Sequence, residues 1–200
     1  MLRTQLRPAI VLTLALCTLT GLVYPAIVTG LAQLLFPRQA NGSLVRVDGR
    51  VVGSELIGQS FTQDWYLHSR PSAAGSGYDG TASSGSNRGP TDARLADTLI
   101  VQAVDEAVTT DGAVKGSIPT DMVTRSASGL DPHISPANAM LQVARVARAR
   151  GADSTAVRAL VDSHIDGRQF GFLGEPRVNV LLLNIALDSA FARPAGGTQS

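Results

Sequence analysis

Asp131 and His133 flank Pro132 in the stretch SGLDPHISP, so a carboxylate and an imidazole share one stiffened turn, with Ser126, Ser128 and Ser135 close by in sequence. These are the residue types of a nucleophilic hydrolase, in which imidazole takes the serine proton and the carboxylate orients the imidazole. A membrane-anchored hydrolase using Ser126 or Ser128 with His133 and Asp131 is therefore one reading. It lacks a GxSxG elbow, and a single turn does not readily separate three groups into a triad. A metal site needs three or four ligands, yet His68 and His164 are far from His133 in sequence. The structural alternative is that Asp131 and His133 bond nearby backbone and hold the turn, as Asp before Pro commonly does.

A second group with chemical potential is the loop Ser84, Gly85, Ser86, Asn87, Arg88, Gly89. Successive backbone N–H groups and one guanidinium ahead of a helix start suit an anion. The chain has no GxxxxGK[ST] phosphate loop, and Lys115 is its single lysine.

Helices and turns must position both groups. Ser135 is a good N-cap and Pro136 fits the first helical position, so a helix runs from there to Arg150 and stops at Gly151. Leu130, Ile134, Met140, Val143 and Ala147 turn inward, while Arg145, Arg148 and Arg150 suit the carbonyl end. Thr91 caps a second helix with Leu95, Leu99, Ala103 and Ala107 on one face, ended by Asp111 and Gly112. Ser117 to Thr124 reads as a turn or one helical turn after Pro119. Asp153 or Ser154 caps a third helix through Ile165. Pro176 introduces RVNVLLLNIALDSAF, whose length favours a buried helix over a strand.

Asp48-Gly49 among valines predicts a β-hairpin between Ser43 and Ser54. Tyr66 and Leu67 alternate like a buried strand, and no basic residues interleave with Trp65 and Tyr66, which argues against a nucleic-acid stacking platform. Residues 71–90, rich in Gly, Ser, Ala and Pro, read as a long loop, either functional or mobile.

The 200 residues are 44% hydrophobic and 16% charged, with a formal charge of +1. The apolar surplus lies at the front, where Pro8 to Phe36 holds no charge and exceeds the roughly 20 residues that cross a bilayer. A cleaved secretory signal is the rival reading, with Arg3 and Arg7 as a basic start and Ala26 or Ala32 near a cleavage point. Signal cores hold only about 7 to 15 apolar residues, so an uncleaved anchor is favoured. Leu16 before Cys17 does not suit a lipoprotein signal, and one cysteine forms no intrachain disulfide. Arg3 and Arg7 with the amino terminus slightly outweigh Arg38 and Arg46, favouring a cytoplasmic start.

The expected architecture is a single N-terminal transmembrane helix followed by one α+β soluble domain. Residues 1–7 form a cytoplasmic N-terminus, 8–36 the anchor and its exit, 37–193 an extracytoplasmic domain and 194–200 a disordered tail.

Six ordered segments, GSELIGQSF, WYLHSRPSA, SGSNRGPT, SGLDPHISP, RVARARG and RVNVLLLNIALD, resemble the KdpC family, the C subunits of Kdp-type bacterial potassium-transporting ATPases. The resemblance spans essentially the whole chain. It implies a non-catalytic accessory subunit in the cell membrane, partnered by a channel-like potassium subunit, a P-type ATPase subunit and membrane lipid. It also implies a catalytic chaperone that raises the ATP affinity of the hydrolysing subunit, with no cofactor bound firmly. Within the family, the segment matching Ser84, Gly85, Ser86, Asn87 and Gly89 is likened to a nucleotide-contacting signature. An outside domain and direct contact with cytoplasmic ATP exclude each other, so an effect on affinity would be coupled through the membrane subunits. The DKTGT context of the phosphorylated aspartate does not occur in this chain.

Overall fold

The computed structural model describes residues 2–194. Chain contacts divide it into two compact units, one ending at Val52 and one starting at Gly53.

In the first unit, α1 (Leu2–Thr18), a π-helical turn (Leu19–Val23) and α2 (Tyr24–Leu35) form one uninterrupted helical run. The wide turn has a local cause. Pro25 has no N–H and its ring crowds the preceding turn, and Tyr24 N–H donates to the Leu19 carbonyl instead of to Thr20. Thr20 Oγ1 donates to the Leu16 carbonyl at 2.8 Å, closing the same stretch from the side chain. The most apolar 18 residues within Thr4–Leu35 have a mean hydropathy of 2.1, and by length and composition the run is able to cross a membrane. At about 1.5 Å per residue the run exceeds a ~30 Å hydrocarbon layer. A short α3 (Pro37–Ala40) leads to a hairpin of β1 (Leu44–Val47) and β2 (Arg50–Ser54). Asp48 and Gly49 turn it at φ +50° and +77°, the positive pair expected of Asp-Gly.

The second unit is a mixed helix and small-sheet fold. After an irregular stretch come a π-helical segment (Leu95–Ile100) continuing into α4 (Val101–Asp111), and α5 (Thr120–Val123). Then follow β3 (His133–Ile134), α6 (Pro136–Arg150), α7 (Ser154–Ser163), β4 (Ile165–Asp166), β5 (Arg177–Asn179) and α8 (Val180–Ala190). The sheet is antiparallel in the order β3-β5-β4, with Val178 opposite both Ile134 and Ile165. Pro132 and Pro136 bracket β3 and Pro176 precedes β5, and a proline cannot donate to a ladder, which keeps both strands short.

The core lies where α6, α7, α8 and β5 meet, with Val146, Val157, Val161, Val178, Leu183 and Leu187 all at 0% exposure. Each helix starts on a side-chain cap: Ser135 Oγ accepts from Asn138 N–H, and Asp153 and Asn179 do the same for α7 and α8. Gly151 ends α6 in the left-handed conformation at φ +62°.

Four local expectations need correction. The third helix, expected through Ile165, ends at Ser163, because Ile165 and Asp166 pair with β5 as β4. The run after Pro176 is a strand for three residues before it becomes a helix, because Arg177–Asn179 fills the centre of the sheet and Asn179 is the α8 cap. Asp92, not Thr91, caps the helix leading to α4, accepting from Arg94 N–H at 2.9 Å. Tyr66 and Leu67 belong to no strand. The tail expected to be disordered lies, beyond Pro194, outside the described residues.

Candidate functional site

Segment 65–70 of the WYLHSR motif runs in an irregular course through the interior, and side chains take the place of a neighbouring strand. Asn184 of α8 bonds both backbone groups of Leu67, accepting from its N–H at 2.8 Å and donating to its carbonyl at 3.0 Å. Gln142 of α6 does the same for His68, at 2.7 and 3.1 Å. Both amides are essentially buried, so each makes a sheet-like pair of bonds that water cannot replace.

Gln142 also donates to Asn138 Oδ1, and Asn138 donates to the Asp121 carboxylate, which receives Ser135 N–H and Oγ–H at 2.7 and 2.8 Å. A continuous polar line thus runs up α6 from its cap. It ends at Arg145, whose guanidinium bonds Asp111 Oδ1 at 2.7 Å and the carbonyls of Asp64 and Tyr66. Arg150 reaches the Trp65 carbonyl and Asp188, and lies 5.3 Å from the Tyr66 ring centroid. The role expected of these arginines at the helix end needs revision. Arg145 and Arg150 are 5% and 8% exposed and act as clamps on 64–66, while Arg148 stays on the surface.

The loops expected to carry chemistry do meet. Asp131 Oδ1 accepts from His133 N–H at 3.0 Å, and Asp131 Oδ2 pairs with Arg70 at 2.9 Å. Burial pushes the Asp131 carboxyl up, but the bonds from His133 and Arg70 outweigh it and hold the group below the ordinary carboxylate range. His133 Nδ1 is 3.7 Å from Asp131 Oδ1. Ser135 is spent on the α6 cap.

Ser126 and Ser128 are turn residues. Ser126 Oγ accepts from Gly129 N–H at 2.9 Å and Ser128 Oγ from Leu130 N–H at 3.1 Å. Neither hydroxyl bonds to His133 among the described residues, and the hydrolase reading finds no support in this geometry. The His68 ring bonds the Gln63 carbonyl and the His164 ring the Leu160 carbonyl, so the three histidines do not converge.

The Ser84 to Gly89 loop lies along this turn. Ser84 N–H donates to the Ser128 carbonyl at 2.9 Å, and a Cβ on Gly85 would meet the Ala127 carbonyl at 2.8 Å. The Arg88 guanidinium is already on Asp92 at 2.8 Å. Gly129, at φ +69°, is a further close approach: a Cβ there would fall 2.6 Å from Ala74 N and 2.7 Å from the Ser84 carbonyl. Ser72 Oγ donates to the Gly129 carbonyl and accepts from Tyr78 N–H, and Tyr78 Oη donates to the Arg70 carbonyl. The motifs WYLHSRPSA, SGSNRGPT and SGLDPHISP are therefore one bonded cluster in space.

Residues 6–189 match the family described as KdpC, K⁺-transporting ATPase, c chain. The chain belongs to the KdpC family. It is 63% identical over 189 residues to a protein of Gemmatimonas aurantiaca named potassium-transporting ATPase KdpC subunit, covering 94% of each chain. A Myxococcus xanthus protein of the same name is 59% identical over 174 residues, covering 86% of this chain and 82% of its own. One from Koribacter versatilis is 50% identical over 193 residues, covering 96% and 98%. KdpC membership thus extends from the apolar helix to α8.

Sequence reading missed Arg70, Asn138, Gln142 and Asn184. Asn184 left a signal, an amide set with Asn179 into an otherwise apolar run. Arg70 and Gln142 left none, since either type at a helix or loop surface looks ordinary.

Proposed function

We propose that this chain is the non-catalytic accessory subunit of an ATP-driven potassium-uptake complex, needed for its assembly and for the activity of its ATP-hydrolysing subunit. What carries the reading is KdpC membership over residues 6–189 in a chain that opens with a 32-residue apolar helix. The helix spans the membrane once with its N-terminus cytoplasmic, and residues 37–193 lie outside. Its partners are the channel-like potassium subunit and the P-type ATPase subunit, with lipid around the span. Thr13, Thr18, Gly21 and Gly30 offer small or weakly polar surface to neighbouring helices.

Asp131, Arg70, Ser128 and the Ser84 to Gly89 loop serve as a bracing cluster, not as a reaction centre. Their polar groups are consumed by one another, which supports a structural role. Ser84 N–H and Arg88 are engaged, so the loop offers a nucleotide phosphate fewer free donors than the motif suggests. Any effect on ATP affinity passes through the membrane subunits.

The test is complementation. Expressed in a strain that lacks its own C subunit but retains the other pump subunits, the chain should restore growth at limiting potassium and ATPase activity of the purified complex. No restoration by a chain shown to reach the membrane would sink the proposal.

A further inference from the structure

Residues 167–176, joining β4 to β5, hold Phe170, Phe172 and Leu173 at 88%, 71% and 47% exposure. The turn beneath them is closed: Gln169 and Leu173 exchange both backbone hydrogen bonds at 2.9 Å. Phe170 sits at φ +52° and Gly171 at +82°. An aromatic residue in the left-handed region is uncommon and strained, and here that strain presents a ring to solvent. A surface tip gains nothing for its own fold from such an arrangement, so its purpose lies in what covers it.

Shape and charge narrow the occupant. A second copy of this chain would need a self-complementary patch, whereas this tip protrudes. An anionic lipid surface is drawn by unpaired basic residues. Here Arg168 is closed onto Glu175 at 2.6 Å, and Asp166, Arg168, Glu175 and Arg177 sum to no net charge. An uncharged, rigid, aromatic protrusion fits a concave apolar pocket on a different protein. Few anchors of this kind carry most of an interface's energy, and a pre-formed turn loses little entropy on docking.

We propose that Phe170, Phe172 and Leu173 form a docking knob that seats in an apolar pocket on another subunit of the potassium-transporting complex. The proposal rests on the accessory-subunit reading above, and it names the contact that reading leaves open. Neither ring belongs to the core, so the knob is removable without unfolding the chain. Replacing Phe170 by Gly also relieves the left-handed strain, so that change weakens docking while leaving the fold as stable or more so.

The experiment co-expresses the tagged full chain with the other pump subunits and measures how much of them it retains in detergent. Alongside are a Phe170→Ser/Phe172→Ser double variant and Phe170→Gly, each with its thermal midpoint. A third arm puts photoreactive p-benzoylphenylalanine at position 172. Retention should fall about tenfold in the double variant with an unchanged midpoint, and position 172 should cross-link to another pump subunit. Full retention by the double variant, a midpoint that falls in step with retention, or cross-linking only to lipid or to a second copy of this chain would each overturn the knob. Loss of retention by the wild-type chain would instead sink the accessory-subunit reading on which it rests.

Discussion

His68 has both backbone groups bonded to Gln142 and its ring nitrogen 3.1 Å from the Gln63 carbonyl. Burial, then the nearby Arg145 charge, lowers its pKa from the usual 6.5, against weaker opposite pulls from the Gln63 bond, Asp111 and Asp64. The neutral ring is thus the folded form. As pH falls below 6.5 the unfolded chain takes up a proton that the folded chain refuses, so this contribution is full above 6.5 and is lost as pH falls toward the depressed folded value. Asp131 and Asp188 are also depressed, but their windows open only below the carboxylate value of 3.8. The thermal midpoint of the full chain should therefore drop between about pH 7.5 and about pH 5.5, and drop less in His68→Gln. Equal drops would show that another group governs that range. Nothing in the residues around His68 announces this burial, since Arg145 and Asp111 come from distant parts of the chain.

At the scale of elements, α6 and α8 hold an irregular segment by side-chain amides where a sheet would use backbone. Replacing Asn184 by Leu keeps the branched heavy-atom skeleton but leaves the Leu67 N–H and carbonyl buried without partners. The expected loss is roughly 3 kcal/mol, since each orphaned group costs about 1–3 kcal/mol, read as the thermal or urea midpoint of the full chain in detergent. A change under about 1 kcal/mol would mean that water or a shifted side chain takes over the bonds. The same elements show where periodicity succeeds and fails. α6 was legible because its Ser cap, Pro136 at the first position and Gly151 at the end are local signals, and the start of α7 because Asp153 caps it. β3, β4 and β5 were not, being two or three residues long and defined only by pairing across the chain, His133 with Asn179 and Ile165 with Val178. The strand-like alternation of Tyr66 and Leu67 reflected burial, which is real, and not ladder pairing, which is absent there.

The whole molecule is a greasy helix joined to a polar fold, and its orientation is a property of neither part alone. A reporter fused after Ser200 that functions only outside the cytoplasm should be active, and one that functions only in the cytoplasm should be silent. The reverse pattern would put the second unit on the side of ATP and reopen direct nucleotide contact at the Ser84 to Gly89 loop. Sequence by itself was enough for the apolar helix, the Asp-Gly hairpin, the capped α6 and the family, because each rests on composition or on neighbours along the chain. Only the tertiary structure decided that Arg145, Arg150, Gln142 and Asn184 clamp one buried segment, and that three motifs close into a single bonded cluster. It also decided that two phenylalanines stand in water. Those outcomes depend on which polar groups are left without solvent once the core forms, and an apolar or polar letter does not carry that information until its distant partners are in place.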